Sequence, residues 1–190
     1  MKNLMRLSLF GLLSLASCGG LTTSDKPVTR TWMLMPLAQP ARTGTAATVT
    51  TIDLSVVAVP GLDTDKILTL SAEAELNSYA GARWADHTPE MFDSLIRRTL
   101  QESGKFKVVT SQADCELRLE VQAFFAYTAS SGPGAEIRIE LDGQYSCQSE
   151  QANPIHLQAS IPVHEGRMGM IVSAFQTGIN KVMDDLLADL

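Results

Sequence analysis

Side chains able to do chemistry are few in this sequence, and their spacing restricts what they can do. Three histidines, His87, His156 and His164, stand far apart and match no zinc-ligand spacing. His164-Glu165 reads as a solvated turn. Asp63 and Asp65 flank Thr64. Two acids in a turn could ligate calcium, yet the longer run of oxygen ligands that a calcium loop needs is missing. There is no strand-to-helix nucleophile turn, no phosphate-cradling glycine loop and no dinucleotide fingerprint. The remaining reactive groups are three cysteines, Cys18, Cys115 and Cys147. The expectation is a non-enzymatic protein with no metal and no cofactor.

Cys18 is defined by what precedes it. Lys2 and Arg6 form a short cationic start, and Leu7 to Leu15 is an apolar run broken only by small residues. That run is about half of the ~20 residues a spanning helix needs, so it reads as the core of a signal peptide. Leu15-Ala16-Ser17-Cys18, followed by Gly19, resembles the bacterial lipobox. The resemblance implies cleavage before Cys18, diacylglycerol on its sulfur and a further acyl chain, such as palmitate, on the new amine. More than one chain makes stable anchoring, since each buried methylene contributes ~0.8 kcal/mol. In lipoproteins of this type an aspartate after the cysteine signals inner-membrane retention, so Gly19 favours the outer membrane. Residues 1–17 are expected to be the signal peptide. Residues 18–30, rich in Gly, Thr and Ser, are expected to be the lipidated cysteine and a flexible tether. Residues 31–190, within a chain of 45% hydrophobic content, can bury one core and are expected to form a single domain. Removal of residues 1–17 leaves 13 basic against 21 acidic residues, a charge of −8. That balance excludes a nucleic-acid partner and a polybasic grip on anionic lipid.

Cys115 and Cys147 lie in a hairpin. Cys115 to Tyr127 alternates, with Cys115, Leu117, Leu119, Val121, Ala123 and Phe125 on one face. Ser130 to Gly134 is a turn, and Ala135 to Cys147 alternates again with Ile137, Ile139, Leu141, Tyr145 and Cys147 inward. A turn there pairs residues whose numbers sum to about 262–266, and the two cysteines sum to 262. They share a face and fall opposite each other, within bridging distance. The lipobox sends the chain to an oxidising compartment, so a Cys115–Cys147 disulfide is expected.

The other elements frame this hairpin. Thr31 to Pro36 is a strand candidate. Val49 to Val59 is a strand whose apolar residues on both faces predict cover on both sides. Pro60-Gly61 ends it, and Lys66 to Leu76 is read as the next strand. A loop carrying Tyr79, Arg83 and Trp84 then leads to a helix capped by Asp86 or Thr88, with Pro89 in its first turn. Phe92, Leu95, Ile96 and Leu100 recur at helical spacing, and Gly104 suits the left-handed residue after the helix. Phe106, Val108 and Val109 begin a strand, Ile155 to Val163 alternates as another, and Arg167 to Leu190 is a long apolar-striped helix. The order suggests an α+β fold, a two-layer sandwich of a mostly antiparallel sheet with two long helices packed against it. Tyr79, Arg83 and Trp84 are the residue types of interface hot spots and are candidates for partner contact. The competing reading packs Trp84 over the first helical turn and pairs Arg83 with Asp86.

Several of these residues together resemble a known family. They are Cys18 in its lipobox, Trp32–Pro36, Val59-Pro60-Gly61-Leu62 before Lys66-Ile67-Leu68, Arg83-Trp84-Ala85-Asp86, and Ser103-Gly104-Lys105-Phe106 one helix later. Their order and spacing are similar to the ABC-type transport auxiliary lipoproteins (PqiC-like). His87-Thr88 departs from the family's usual acidic or proline-leucine step, and Trp32 stands where tyrosine is frequent. The resemblance implies a lipid-anchored accessory subunit at the outer membrane, facing the periplasm. Its partners would be an MCE-type lipid-binding protein and, through it, an ABC permease and ATPase that move phospholipid between membranes and maintain membrane integrity. Self-association is left open. The alternatives are an outer-membrane assembly lipoprotein of the lipopolysaccharide-transport type and a stand-alone lipid-binding lipoprotein.

Overall fold

The computed structural model describes residues 28–36, 49–129, 134–148 and 151–190. The expected signal peptide, Cys18, most of the tether, the Gln39–Thr48 loop and most of the Ser130–Gly134 turn lie outside them. Ten elements follow in order: β1 (Arg30–Trp32), β2 (Thr50–Ala58), β3 (Lys66–Ser71), β4 (Leu76–Trp84), α1 (Thr88–Glu102), β5 (Phe106–Val109), β6 (Cys115–Thr128), β7 (Ala135–Cys147), β8 (Asn153–Val163) and α2 (Met168–Asp189). The fold is α+β. Both helices cover one face of a single eight-stranded sheet.

β6 is the spine of that sheet, because it is long enough to take two partners end to end. β2 runs parallel to its first half, Ile52 beside Cys115 through Ala58 beside Val121. β3 runs parallel to its end, Thr69 beside Ala126 through Ser71 beside Thr128. Between them the chain leaves the sheet at Pro60-Gly61 and buries Leu62. On its other side β6 pairs antiparallel with β7, and β7 with β8. β5 adds to β2 and β1 to β4, both parallel. The sheet is therefore mixed. Antiparallel pairing dominates in the β6–β7–β8 meander, whose strands are neighbours in sequence. The parallel pairs join distant segments that must cross over, with α1 as one crossover element.

Three local readings need correction. The strand expected from Lys66 to Leu76 ends at Ser71, and the chain returns as β4. The turn lacks Gly and Pro. The Ser71 hydroxyl accepts from the amides of Glu73 and Glu75 at 3.2 and 3.3 Å, and Ala74 takes a left-handed φ of 62°. Serine thus does locally what glycine usually signals. The stretch read as a loop at Tyr79–Trp84 is consequently strand. Second, β2 is covered on one face only, since Val57 is 52% exposed. Its valines reflect the strand preference of β-branched residues rather than burial on both sides. Third, β6 carries a bulge between Val121 and Ala123, which reverses its alternation. Phe124 and Ala126 point into the core, and Phe125 turns outward and is half-buried. Ala123-Phe124-Phe125-Ala126 reads equally well in either parity, so pattern alone cannot locate the slip.

The helices dock through an aromatic cluster. Phe124 of β6 stacks near Phe92 of α1 at 5.1 Å and Phe175 of α2 at 4.8 Å between ring centroids. α1 lies over β2 and β5, and α2 over β7 and β8. A Cβ on Gly178 would stand 2.8 Å from the Ile139 side chain, so glycine brings α2 close onto β7. α1 is capped by the geometry of His87 rather than by a side chain, and Asp86 Oδ1 instead accepts from the His87 amide. Thr88, the other expected cap, donates its hydroxyl to the Thr64 carbonyl. Gly104, with φ of 69°, follows the helix as expected.

Candidate functional site

The three residues singled out for partner contact lie on β4 and meet different surroundings. Trp84 is 1% exposed. Its ring lies 5.1 Å from Phe175 edge-on and 5.5 Å from Phe124. It is part of the central aromatic cluster, which agrees with the packing reading for this residue. In-register pairing with Trp32 on β1 covers it at the sheet edge. Tyr79 is half-buried, and burial raises its phenol above the ordinary value. Arg83 is exposed. Its guanidinium pairs with Asp65 at 3.6 Å and reaches the Thr31 hydroxyl at 3.4 Å. Asp86, the expected partner, instead receives the His87 amide.

Around Arg83 the β2–β3 turn and the start of α1 converge. His87 Nδ1 lies 3.0 Å from Asp63 Oδ1. That hydrogen bond, helped by the negative charge of Asp63, holds the imidazole above its ordinary pKa against the desolvation that opposes it. Ligand atoms of Asp63, His87 and Glu90 all fall within 4.8 Å of one another, and all three side chains are exposed. The same holds for the Glu140, Asp142 and His156 group on the open face of the sheet, of which His156 is exposed and the acids half-buried. Neither group has a buried donor to enforce geometry. Their chemistry is that of solvated ion pairs, which water and salt screen. The result is an exposed, mixed-charge patch at the β2–β3 turn and the end of β4, carrying Asp63, Asp65, Arg83 and His87, while Tyr79, earlier on β4, packs against the core.

The disulfide occupies the opposite end of β6. Cys115 and Cys147 pair directly across β6 and β7 and are bonded, with Cα atoms 4.0 Å apart. The expected register is the one observed. Beside it Asp114 accepts from the Thr51 hydroxyl at 2.6 Å and from the Thr51 amide at 3.1 Å. Those two bonds, chiefly the hydroxyl's, hold the Asp114 carboxyl below its ordinary pKa. The pair ties the start of β6 to β2, and nothing in the linear sequence links residues 63 positions apart.

A third feature was not legible in the sequence. A cleft of about 270 Å³ runs beside α1, lined by Met33, Leu34, Met35, Met91, Leu95 and Arg98 among others. Among the described residues no helix is long and apolar enough to cross a membrane.

The model of the ABC-type transport auxiliary lipoprotein component family matches residues 33–186. The chain belongs to that family. The match runs from Met33 almost to the end of α2, so it includes β2 to β8, both helices and the disulfide. A crystal structure of a Xanthomonas campestris protein of the DUF330 family superposes with a TM-score of 0.73 at 19% identity, covering 84% of this chain and 93% of that one. A second crystal structure, of an uncharacterized protein, gives a TM-score of 0.64 at 11% identity, with 85% and 98% covered. At such identities these two show the shared fold. No curated protein matches the chain.

Proposed function

We propose that this chain is the lipid-anchored, periplasmic accessory subunit of an ABC/MCE-type intermembrane lipid-transport system. Cys18 carries the acyl chains, residues 18–30 give reach, and the domain from residue 31 docks the MCE component at the outer membrane. The protein itself performs no catalysis. The observation that carries this reading is the family match over residues 33–186, which associates the chain with an ABC transport system. The bonded cysteine pair supports an oxidising location.

Partner contact falls on the exposed patch at the β2–β3 turn and the end of β4. Arg83 supplies hot-spot chemistry there and Tyr79 stands earlier on the same strand, while Trp84 holds the strand in place from within. Each exposed ion pair in this patch costs little to open, so a partner can replace Asp65 or Asp63 as the ligand of a cation. The test has two arms. Mass spectrometry of the mature N-terminus should find an acylated Cys18, and membrane fractionation should place the chain with outer-membrane markers. Copurification should recover an MCE protein with the native chain and much less with Arg83→Glu. Recovery of an outer-membrane barrel instead would replace this reading with the assembly-lipoprotein one.

A further inference from the structure

Among the described residues β8 has a strand neighbour on one side only. Its 11 residues pair with β7 and with nothing beyond. A free edge of that length offers backbone donors and acceptors to any other extended chain. Which groups it offers follows from the ladder. The Val59 amide donates to the Val121 carbonyl at 3.1 Å, and the Gln148 amide to the Asp114 carbonyl at 3.2 Å. Odd-numbered residues of β6 up to Val121 therefore turn their backbone groups to β2, and even-numbered ones to β7. Glu120 and Asp142, which stand opposite each other, turn their backbone groups to one another. His156, opposite Asp142 on the other side of β7, must then point its own away from β7. The same holds for every even-numbered residue of β8. Pro154 and Pro162 belong to that set, where a missing amide loses no bond to β7. The outward amides are those of His156, Gln158 and Ser160.

This edge is complementary to itself. Pro154 and Pro162 lie equally far from Gln158 along the chain, one on each side. Set antiparallel against its own copy about Gln158, β8 places His156 opposite Ser160 of the second copy and each proline opposite the other. Residues 153–163 contain no Asp, Glu, Lys or Arg, so no charge within the strand opposes that pairing. Lys181 of α2 closes the middle. Its Nζ donates to the Gln158 carbonyl at 3.1 Å and pairs with Asp185 at 2.6 Å. That carbonyl points outward at the very residue about which β8 would pair with itself. Strand addition has to break this bond and bring two Lys181 ammonium groups together at the two-fold axis. The prolines close the two ends, each withholding a donor. Lysine and proline at these positions are the devices that blunt a sheet edge.

We infer that Lys181, Pro154 and Pro162 form a guard that stops β8 from pairing with β8 of a second copy of this chain. The inference concerns the opposite side of β7 from β6 and does not depend on partner docking at the β2–β3 turn.

The full chain carrying Cys18→Ser is compared with the same chain carrying Lys181→Met, Pro154→Thr and Pro162→Thr in addition. Light scattering over a dilution series should show the unguarded chain forming a concentration-dependent dimer, at least about tenfold tighter than any self-association of the guarded one. Residue-resolved hydrogen exchange assigns the contact. The amides of His156, Gln158 and Ser160 should exchange fast in the guarded chain and gain about tenfold or more protection in the unguarded dimer. Lys181→Met alone, at a side chain 52% exposed, keeps both prolines and should move association the same way by a smaller factor. It decides the matter where the triple variant does not fold. A folded variant that associates no more tightly than the guarded chain would overturn the inference. So would association that leaves those three amides unprotected, or a guarded chain in which they are already protected.

Discussion

Replacing Trp84 with alanine separates packing from recognition at the stretch that identifies the family. The indole is 1% exposed and contacts rings from β6 and α2, so its removal leaves a cavity at the junction of both layers. Burial of an indole lost to alanine costs about 3–5 kcal/mol, and each aromatic pair adds about 0.5–1.5 kcal/mol within that sum. For a domain of this size each kcal/mol lowers the melting temperature by about 2–4 °C, so the expected fall is roughly 6–20 °C. Circular dichroism melts supply the measurement, with partner binding assayed 20–30 °C below the midpoint, where the variant is folded. There, binding should be near native. A melting temperature within about 2 °C of native, combined with lost partner binding, would refute the reasoning and return Trp84 to the surface.

The remaining predictions are simpler. Replacing both Cys115 and Cys147 with alanine should cost about 4 kcal/mol by the chain-entropy relation for a separation of 32 residues, read from denaturant midpoints. Gly143→Ala should be severe, about 3 kcal/mol, because its Cβ would lie 2.0 Å from the Arg118 carbonyl oxygen on the facing strand. Gly178→Ala should stay within about 1 kcal/mol, since its clash is with the movable tip of Ile139 and helix propensity offsets it; equal damage from the two glycine changes would contradict both assignments. His156 should titrate above its ordinary value by proton NMR, because Asp142 accepts its hydrogen bond at 2.5 Å. A raised folded pKa means its small stabilisation is complete below the unfolded pKa of about 6.5 and is lost as pH rises through the folded value; Asp142→Asn should remove the shift.

Most of the fold could be read along the chain wherever one physical signal governed one element. The β6–β7–β8 meander declares itself because each strand has one wet face, and the hairpin register followed from the turn's position, which put Cys115 opposite Cys147. The helices follow from the stripes of Phe92, Leu95 and Leu100 and of Ile171, Phe175 and Ile179. What failed was decided by contacts without a local signature. The Ser71–Glu75 turn is made by a serine hydroxyl. The β6 bulge falls in a stretch whose residues suit either face. The parallel pairing of β2 and β3 on one side of β6 joins segments some 60 residues apart. Sites fared similarly. Arg83 is exposed and Tyr79 half-buried against the core, whereas Trp84 went fully to the core. The hydrogen bond from the Met35 amide to the Gln176 side chain, across 141 positions, had no sequence signal at all.

The central claim is tested most directly by binding between purified partners. The full chain, acylated and held in a bilayer, is exposed to a purified periplasmic MCE-domain protein, and association is followed by interferometry. The account predicts saturable one-site binding that Arg83→Glu weakens at least tenfold while the melting temperature stays unchanged. Absence of binding by a folded, acylated chain, or binding indifferent to Arg83 and Tyr79 together, would contradict it.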